Sequence, residues 1–140
     1  NEPPSFKTYG SVEEFAKRLQ QNNRRLTFDR ALYIAEHSCH ETSSGKFELL
    51  SDPAHKLTNP VLYRLEEAKA CWSLISAPTL WITGADSEFM RMQVASPEDY
   101  AARKACFKQL HEEIIADCGH MMHHDQPQAL AALLEAFFAG

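Results

Sequence analysis

Two short segments that read as strands, one of them a continuous apolar run, each closed by a glycine and separated by one helical stretch, constrain this chain more than any other feature. Residues 79–83 read "TLWIT" and stop at Gly84; residues 112–117 read "EEIIAD" and lead to Gly119. A run that is apolar on both faces suits a buried parallel strand. Pro97 opens a helix expected over about 97–110, with Tyr100, Ala101, Cys106, Phe107 and Leu110 turned inward. Strand, helix, strand predicts a parallel pair joined by a right-handed crossover. Asp125 then reads as the cap of a last helix, with Pro127 in its first turn and Gln128 three residues on. Leu130, Leu133, Leu134, Phe137 and Phe138 form its apolar stripe. Two parallel strands cannot make a stable sheet alone, because both faces and both edges need cover. Burying each large side chain of the stripe is worth about 1.5–3 kcal/mol, yet little sheet exists to bury it against. The pattern asks for more strands than the chain supplies.

Upstream the texture is helical. In "YGSVEEFAKRLQQNN", Ser11 and Glu14 have the spacing of a capping box, and Val12, Phe15, Ala16 and Leu19 follow at helical spacing. This predicts a helix over about 11–22. A second is expected from 28 to 38, with Thr27 as cap and Phe28, Ala31, Leu32 and Ala35 on one face. "HETSSG" is a polar turn, "KFELLS" (46–51) a short extended segment at most, and "DPAHKLTNP" a loop. A third helix, about 61–75, carries Leu62, Leu65, Ala68, Trp72 and Ile75. The fold class is therefore α/β, a helical part over 1–76 followed by strand–helix–strand–helix over 77–140.

Several function classes are disfavoured. Net charge is −5 and the 14 Lys and Arg are scattered, whereas a nucleic-acid surface needs a basic patch. No apolar run approaches the roughly 18–20 residues of a membrane span, and no charged-then-apolar leader is present. Cys39, Cys71, Cys106 and Cys118 form no CxxC pair, which reads as free thiols in a reducing, cytoplasmic setting. The chain opens on Asn1 with "NEPPS", which reads as a linker within a longer protein.

The densest chemistry lies in "GHMMHHDQP" at 119–127. Metal binding is one reading of His120, His123, His124 and Asp125. Against it, Cys118 and His120 are too close for a structural zinc pair, and "HEEII" at 111–115 misses the HExxH pattern because Ile115 stands in the last place. Surface or cap histidines without chemistry are a second reading, and the preferred one for His37, His40, His55 and His111. A third reading uses context. Gly119 lets the backbone turn sharply, so His120 projects from a strand's carboxyl end, where open α/β sheets bind ligands. A histidine there is suited to general-base work. The other strand also ends in a glycine turn, "TGADSEF", which puts Asp86 and Glu88 at the same rim. A carboxylate there could orient the imidazole and stabilise its protonated form.

"APTLWITGADS", about thirty residues, and then "ADCGHMMHHDQPQALAALLEAFF" resemble the last third of an α/β-hydrolase fold protein. The resemblance extends more loosely over 1–76, which is similar to the cap such enzymes insert before their last strands. It implies that His120 is the catalytic histidine and that His123 and His124 begin the closing helical turn. The family's acid follows Gly-x-x, where this chain has Ser87. Asp86 stands one residue early and is preferred; Glu88 stands one late. In some members the acid follows the strand before the cap, which would place it outside this chain. The family's nucleophile sits on Gly-x-Ser-x-Gly, but no two of Gly10, Gly45, Gly84, Gly119 and Gly140 are four apart. The chain thus resembles a hydrolase whose nucleophilic half is absent.

The expectation is a C-terminal portion of an α/β-hydrolase, cleaving a small ester or related bond, with neither cofactor nor metal. A small-molecule substrate and an upstream half of the same enzyme are the expected partners, and self-association is open. Trp72, Phe89, Met90 and Met121 are candidates for an apolar substrate pocket, with plain core packing as the competing reading. The alternatives are a non-catalytic helical interaction module, or the same fold with dehalogenase, epoxide-hydrolase or carbon–carbon hydrolase chemistry.

Overall fold

The computed structural model describes residues 2–88 and 96–140, in two compact units, Asn1–Leu62 and Tyr63–Gly140. The first is built on helices α1 (Val12–Asn22) and α2 (Phe28–Ser38), both where periodicity and caps place them. Ser11 Oγ accepts the Glu14 N–H at 3.2 Å, and the Glu14 carboxylate accepts the Gly10 N–H at 2.7 Å. The reciprocal half of the capping box thus reaches one residue further back than Ser11. Thr27 Oγ1 caps α2 through the Arg30 N–H at 3.4 Å. Ala16, Ala31 and Ala35 are fully buried and share one core with Tyr9, Phe15 and Leu26.

The two caps should differ in strength, because the Thr27 bond is long and the Ser11 bond comes with a partner carboxylate. Ser11→Ala is expected to destabilise this unit by about 1 kcal/mol, and Thr27→Ala by about half that. Urea melts followed by far-UV circular dichroism would show the ranking, and equal losses would contradict it.

Strand β1 (Cys39–Glu41) pairs antiparallel with β2 (Phe47–Leu49). Only the second of these was legible as an extended segment. Their turn is closed by Thr42 N–H to Lys46 O at 2.7 Å and Gly45 N–H to Thr42 O at 2.9 Å. Gly45 has φ 72°, a conformation that favours glycine. Tyr9 adds a short antiparallel bridge to Phe47.

In the second unit, helix α3 (Leu65–Ser73) is shorter than the 61–75 expected. The Asn59 carboxamide accepts the Val61 N–H at 2.9 Å, a local turn that competes with helix just before it. Strands β3 (Thr79–Gly84) and β4 (Leu110–Ile115) pair in parallel, from Thr79 opposite Leu110 to Gly84 opposite Ile115. Between them, α4 (Pro97–Lys104) stops well before residue 110. Phe107 is drawn under the sheet instead, its ring 5.9 Å from Trp81 and 5.8 Å from Trp72. Leu110 then begins β4 rather than ending the helix.

Alternation along the strands divides the two faces. Trp81 and Thr83 meet α4, where the Trp81 indole N–H donates to the Tyr100 hydroxyl at 2.9 Å and Thr83 Oγ1 lies 3.2 Å from it. His111, on the other face, packs 5.8 Å from Phe137 of the terminal helix, α6 (Pro127–Ala139). Between the strands and α6 runs a groove of about 610 Å³ lined by Leu80, His111, Leu133, Phe137 and Phe138. Ile114 is 71% exposed and Phe138 80% exposed, so the sheet and the apolar stripe are indeed only partly covered in this chain. No helix among the described residues is long and apolar enough to cross a membrane.

Candidate active site

The carboxyl ends of β3 and β4 lie against each other. The Ala85 N–H donates to Ile115 O at 2.9 Å, continuing the ladder one step past Gly84. The Asp86 N–H then donates to Cys118 O, also at 2.9 Å. Gly84 is pressed against the same segment: a Cβ there would fall on the Gly119 carbonyl oxygen and 2.5 Å from that of Cys118. Asp117, at φ 48°, turns the chain after β4, and its carbonyl accepts the Gln126 side-chain N–H at 3.1 Å. The turns carrying Asp86 and His120 are therefore joined through backbone. Asp86, Glu88 and His120 are all exposed in this chain.

Between the two carboxylates, Ser87 is only 5% exposed. Its N–H closes a tight turn on Gly84 O at 3.0 Å, and its Oγ makes no hydrogen bond among the described residues. A buried hydroxyl without a partner costs stability. Ser87→Ala is therefore expected to leave this unit unchanged or up to about 1 kcal/mol more stable. A loss above about 1 kcal/mol in a chemical melt would reveal a bond to that oxygen.

After His120, Met122–Asp125 form a single helical turn, α5. The rings of His123 and His124 lie 4.2 Å apart. His124 is held below the usual histidine range, first by burial and next by the charge of His123, with Asp125 opposing. Asp125 does not cap α6 as its spacing suggested; Gln126 stands at that N-cap, and its side chain makes no capping bond to the helix. The extra turn of α5 carries Asp125 inward, to 4% exposure, where its Oδ2 accepts the Gly119 N–H at 2.8 Å. From the sequence, Asp125 was read only as a metal-ligand candidate or helix cap, and Ser87 only as the residue standing where the family has its acid. Asp125 sits six residues from its partner, and that pairing depends on α5.

Of the pocket candidates, Trp72 is half-buried and stacks on Phe107 in the aromatic layer beneath the sheet. Met121 stands at the start of α5, 42% exposed and next to His120. Phe89 and Met90 lie outside the described residues. Among the described residues, no three His, Cys, Asp or Glu side chains converge on a common point as a metal site would require.

No protein-family model and no curated protein sequence matches this chain. Solved structures do. The thioesterase domain from the curacin biosynthetic pathway is similar over 97% of this chain and 47% of its own, with a TM-score of 0.77 and 22% identity. An esterase of Mycobacterium tuberculosis matches over 96% of this chain and 43% of its own, with a TM-score of 0.76 and 16% identity. An α/β-hydrolase from Novosphingobium aromaticivorans matches over 92% and 46%, with a TM-score of 0.63 and 17% identity. The chain spans a little under half the length of each of these structures. At these identities the likeness establishes architecture, and the architecture is a partial α/β-hydrolase fold, corresponding to the C-terminal half of those structures.

Proposed function

We propose that this chain is the C-terminal portion of an α/β-hydrolase that cleaves a small ester or a related acyl bond, and that His120 is its catalytic base. The observation that carries this reading is the bond from the Asp86 N–H to Cys118 O, which ties the His120 turn to a carboxylate-bearing turn at one sheet end. The nucleophile and oxyanion hole belong to an upstream half, since this chain contains no Gly-x-Ser-x-Gly. That half would be the next part of the sheet, in the same polypeptide or a separate one. The exposed Ile114 and Phe138 agree with a sheet completed from outside. The names of the similar structures, a thioesterase and an esterase, agree with acyl transfer to water.

The chemistry divides into two half-reactions. His120 accepts the nucleophile's proton as the nucleophile attacks the acyl carbon, then returns it to the departing alcohol or thiol. It next accepts a proton from water, which attacks the acyl-enzyme and releases the acid, and returns that proton to the nucleophile. Asp86 would orient the imidazole and stabilise its charged form, with Glu88 as the alternative. One observation favours a further source for the acid. The place the family reserves for it holds Ser87, buried and without a side-chain hydrogen bond among the described residues, while Asp86 and Glu88 are exposed. A carboxylate on the strand that would flank β3 is the second reading.

A fluorophosphonate probe applied to the complete protein carrying this chain tests the proposal. Labelling of one serine upstream of Asn1, with turnover of short acyl esters, is expected. A folded complete protein that takes no label and hydrolyses neither esters nor thioesters would sink the serine-hydrolase reading.

A further inference from the structure

Asp125 is the one buried carboxylate among the described residues. An ionised carboxylate is costly to bury unless its oxygens are bonded, and helix α6 does not use this one as its cap. Its Oδ2 instead accepts the Gly119 N–H at 2.8 Å. That N–H belongs to the same peptide group as the Cys118 carbonyl, which accepts the Asp86 N–H at 2.9 Å. One peptide group is therefore gripped at both ends, its oxygen from the β3 turn and its hydrogen from Asp125. A peptide group is planar, so two such bonds fix its orientation. Gly119 has no side chain to restrict its own rotation, and the next residue is His120. Holding this peptide fixes where the chain enters the unrestricted Gly119, and so limits the directions His120 can take from it.

We infer that Asp125 is a positioning residue for His120, acting through the Cys118–Gly119 peptide. The inference rests on the proposed role of His120 as catalytic base. Neighbouring contacts support the same geometry: the Asp125 N–H bonds Met121 O at 3.0 Å, closing α5, and Gln126 holds the preceding carbonyl, that of Asp117. Charge is not essential to such a role; an acceptor oxygen at that place is. Asparagine keeps one and alanine does not.

The test uses the complete protein, with a short acyl ester as substrate and turnover normalised to fluorophosphonate-titrated sites. Asp125→Ala is expected to lower kcat by about 10²-fold while KM changes less than about threefold, the effect of a misplaced base rather than of lost binding. Asp125→Asn is expected to recover kcat to within about tenfold of wild type. Amide hydrogen exchange at Gly119 should quicken in Asp125→Ala and stay slow in Asp125→Asn. Wild-type kcat per site in Asp125→Ala would overturn the role, as would an asparagine variant that protects Gly119 yet is as slow as alanine. Should Asp125→Ala fail to fold, the asparagine variant decides alone: unprotected Gly119 with undiminished kcat would also overturn it. His120→Ala separates the two layers of argument. Wild-type turnover in that variant would remove His120 as the base and the positioning role with it, whereas an inactive His120→Ala beside a fully active Asp125→Ala would remove only the positioning role.

Discussion

His120→Ala in the complete protein is expected to lower turnover of a short acyl ester by about 10³–10⁴-fold. The size follows from the role. A general base contributes about 10²–10⁴-fold, and here the same imidazole serves both half-reactions. The specificity of the effect is as informative as its size. His123 and His124 lie three and four residues on, in α5, and His124 is half-buried against its neighbour. Their alanine variants should stay within about tenfold of wild type, because neither occupies the turn tied to β3. The carboxylates then sort themselves. If Asp86 orients the base, Asp86→Asn should cost at least about 10²-fold and Glu88→Gln almost nothing. If neither substitution matters while His120→Ala is dead, the acid comes from the strand that would flank β3, as the burial of Ser87 favours. Turnover within tenfold of wild type in His120→Ala would end the assignment altogether.

Much of this layout was legible residue by residue. Ser11 and Thr27 announce α1 and α2 because a cap is a local device, settled within four residues of the chain. "TLWIT" announces β3 because its apolar character on both faces survives in any register. Other features depend on contacts that are distant in sequence. The early stop of α4 comes from Phe107, which leaves the helical spiral to reach Trp72 and Trp81; no periodicity encodes that choice. The hairpin of β1 and β2 is too short to show alternation, and only Gly45 in the turn hinted at it. At the site, "GADSE" and "GH" identified the two rims, but not which side chain in "ADSE" turns inward. Asp125 was misread for a related reason: an acidic residue before Gln-Pro looks like a helix cap. Its true partner, Gly119, comes within reach only once α5 has formed.

Gly84→Ala is expected to destabilise the unit Tyr63–Gly140 by about 3 kcal/mol or more, the upper range for overpacking against atoms that cannot move aside. Backbone conformation is not the cause, since Gly84 lies outside the left-handed region. Space is. The added methyl would meet the Gly119 and Cys118 carbonyl oxygens, and those belong to main chain already held by bonds from Asp86 and Gln126 on neighbouring groups. Relief requires parting the ends of β3 and β4. Gly10→Ala is the matched control: its new methyl would meet only the Glu14 Oε2, at 3.2 Å, the far end of a flexible side chain. Both tryptophans, Trp72 and Trp81, lie in the second unit, so tryptophan fluorescence during a urea melt reads that unit without interference from the first. A large drop in the fluorescence midpoint for Gly84→Ala, and none for Gly10→Ala in a melt of the first unit followed by far-UV circular dichroism, would establish that the strand ends touch as described. A Gly84→Ala protein as stable as wild type would mean that they stand apart. The Asp86 and His120 turns would then lose the contact that makes them one site, and the proposed catalytic assembly would lose its geometric basis with it.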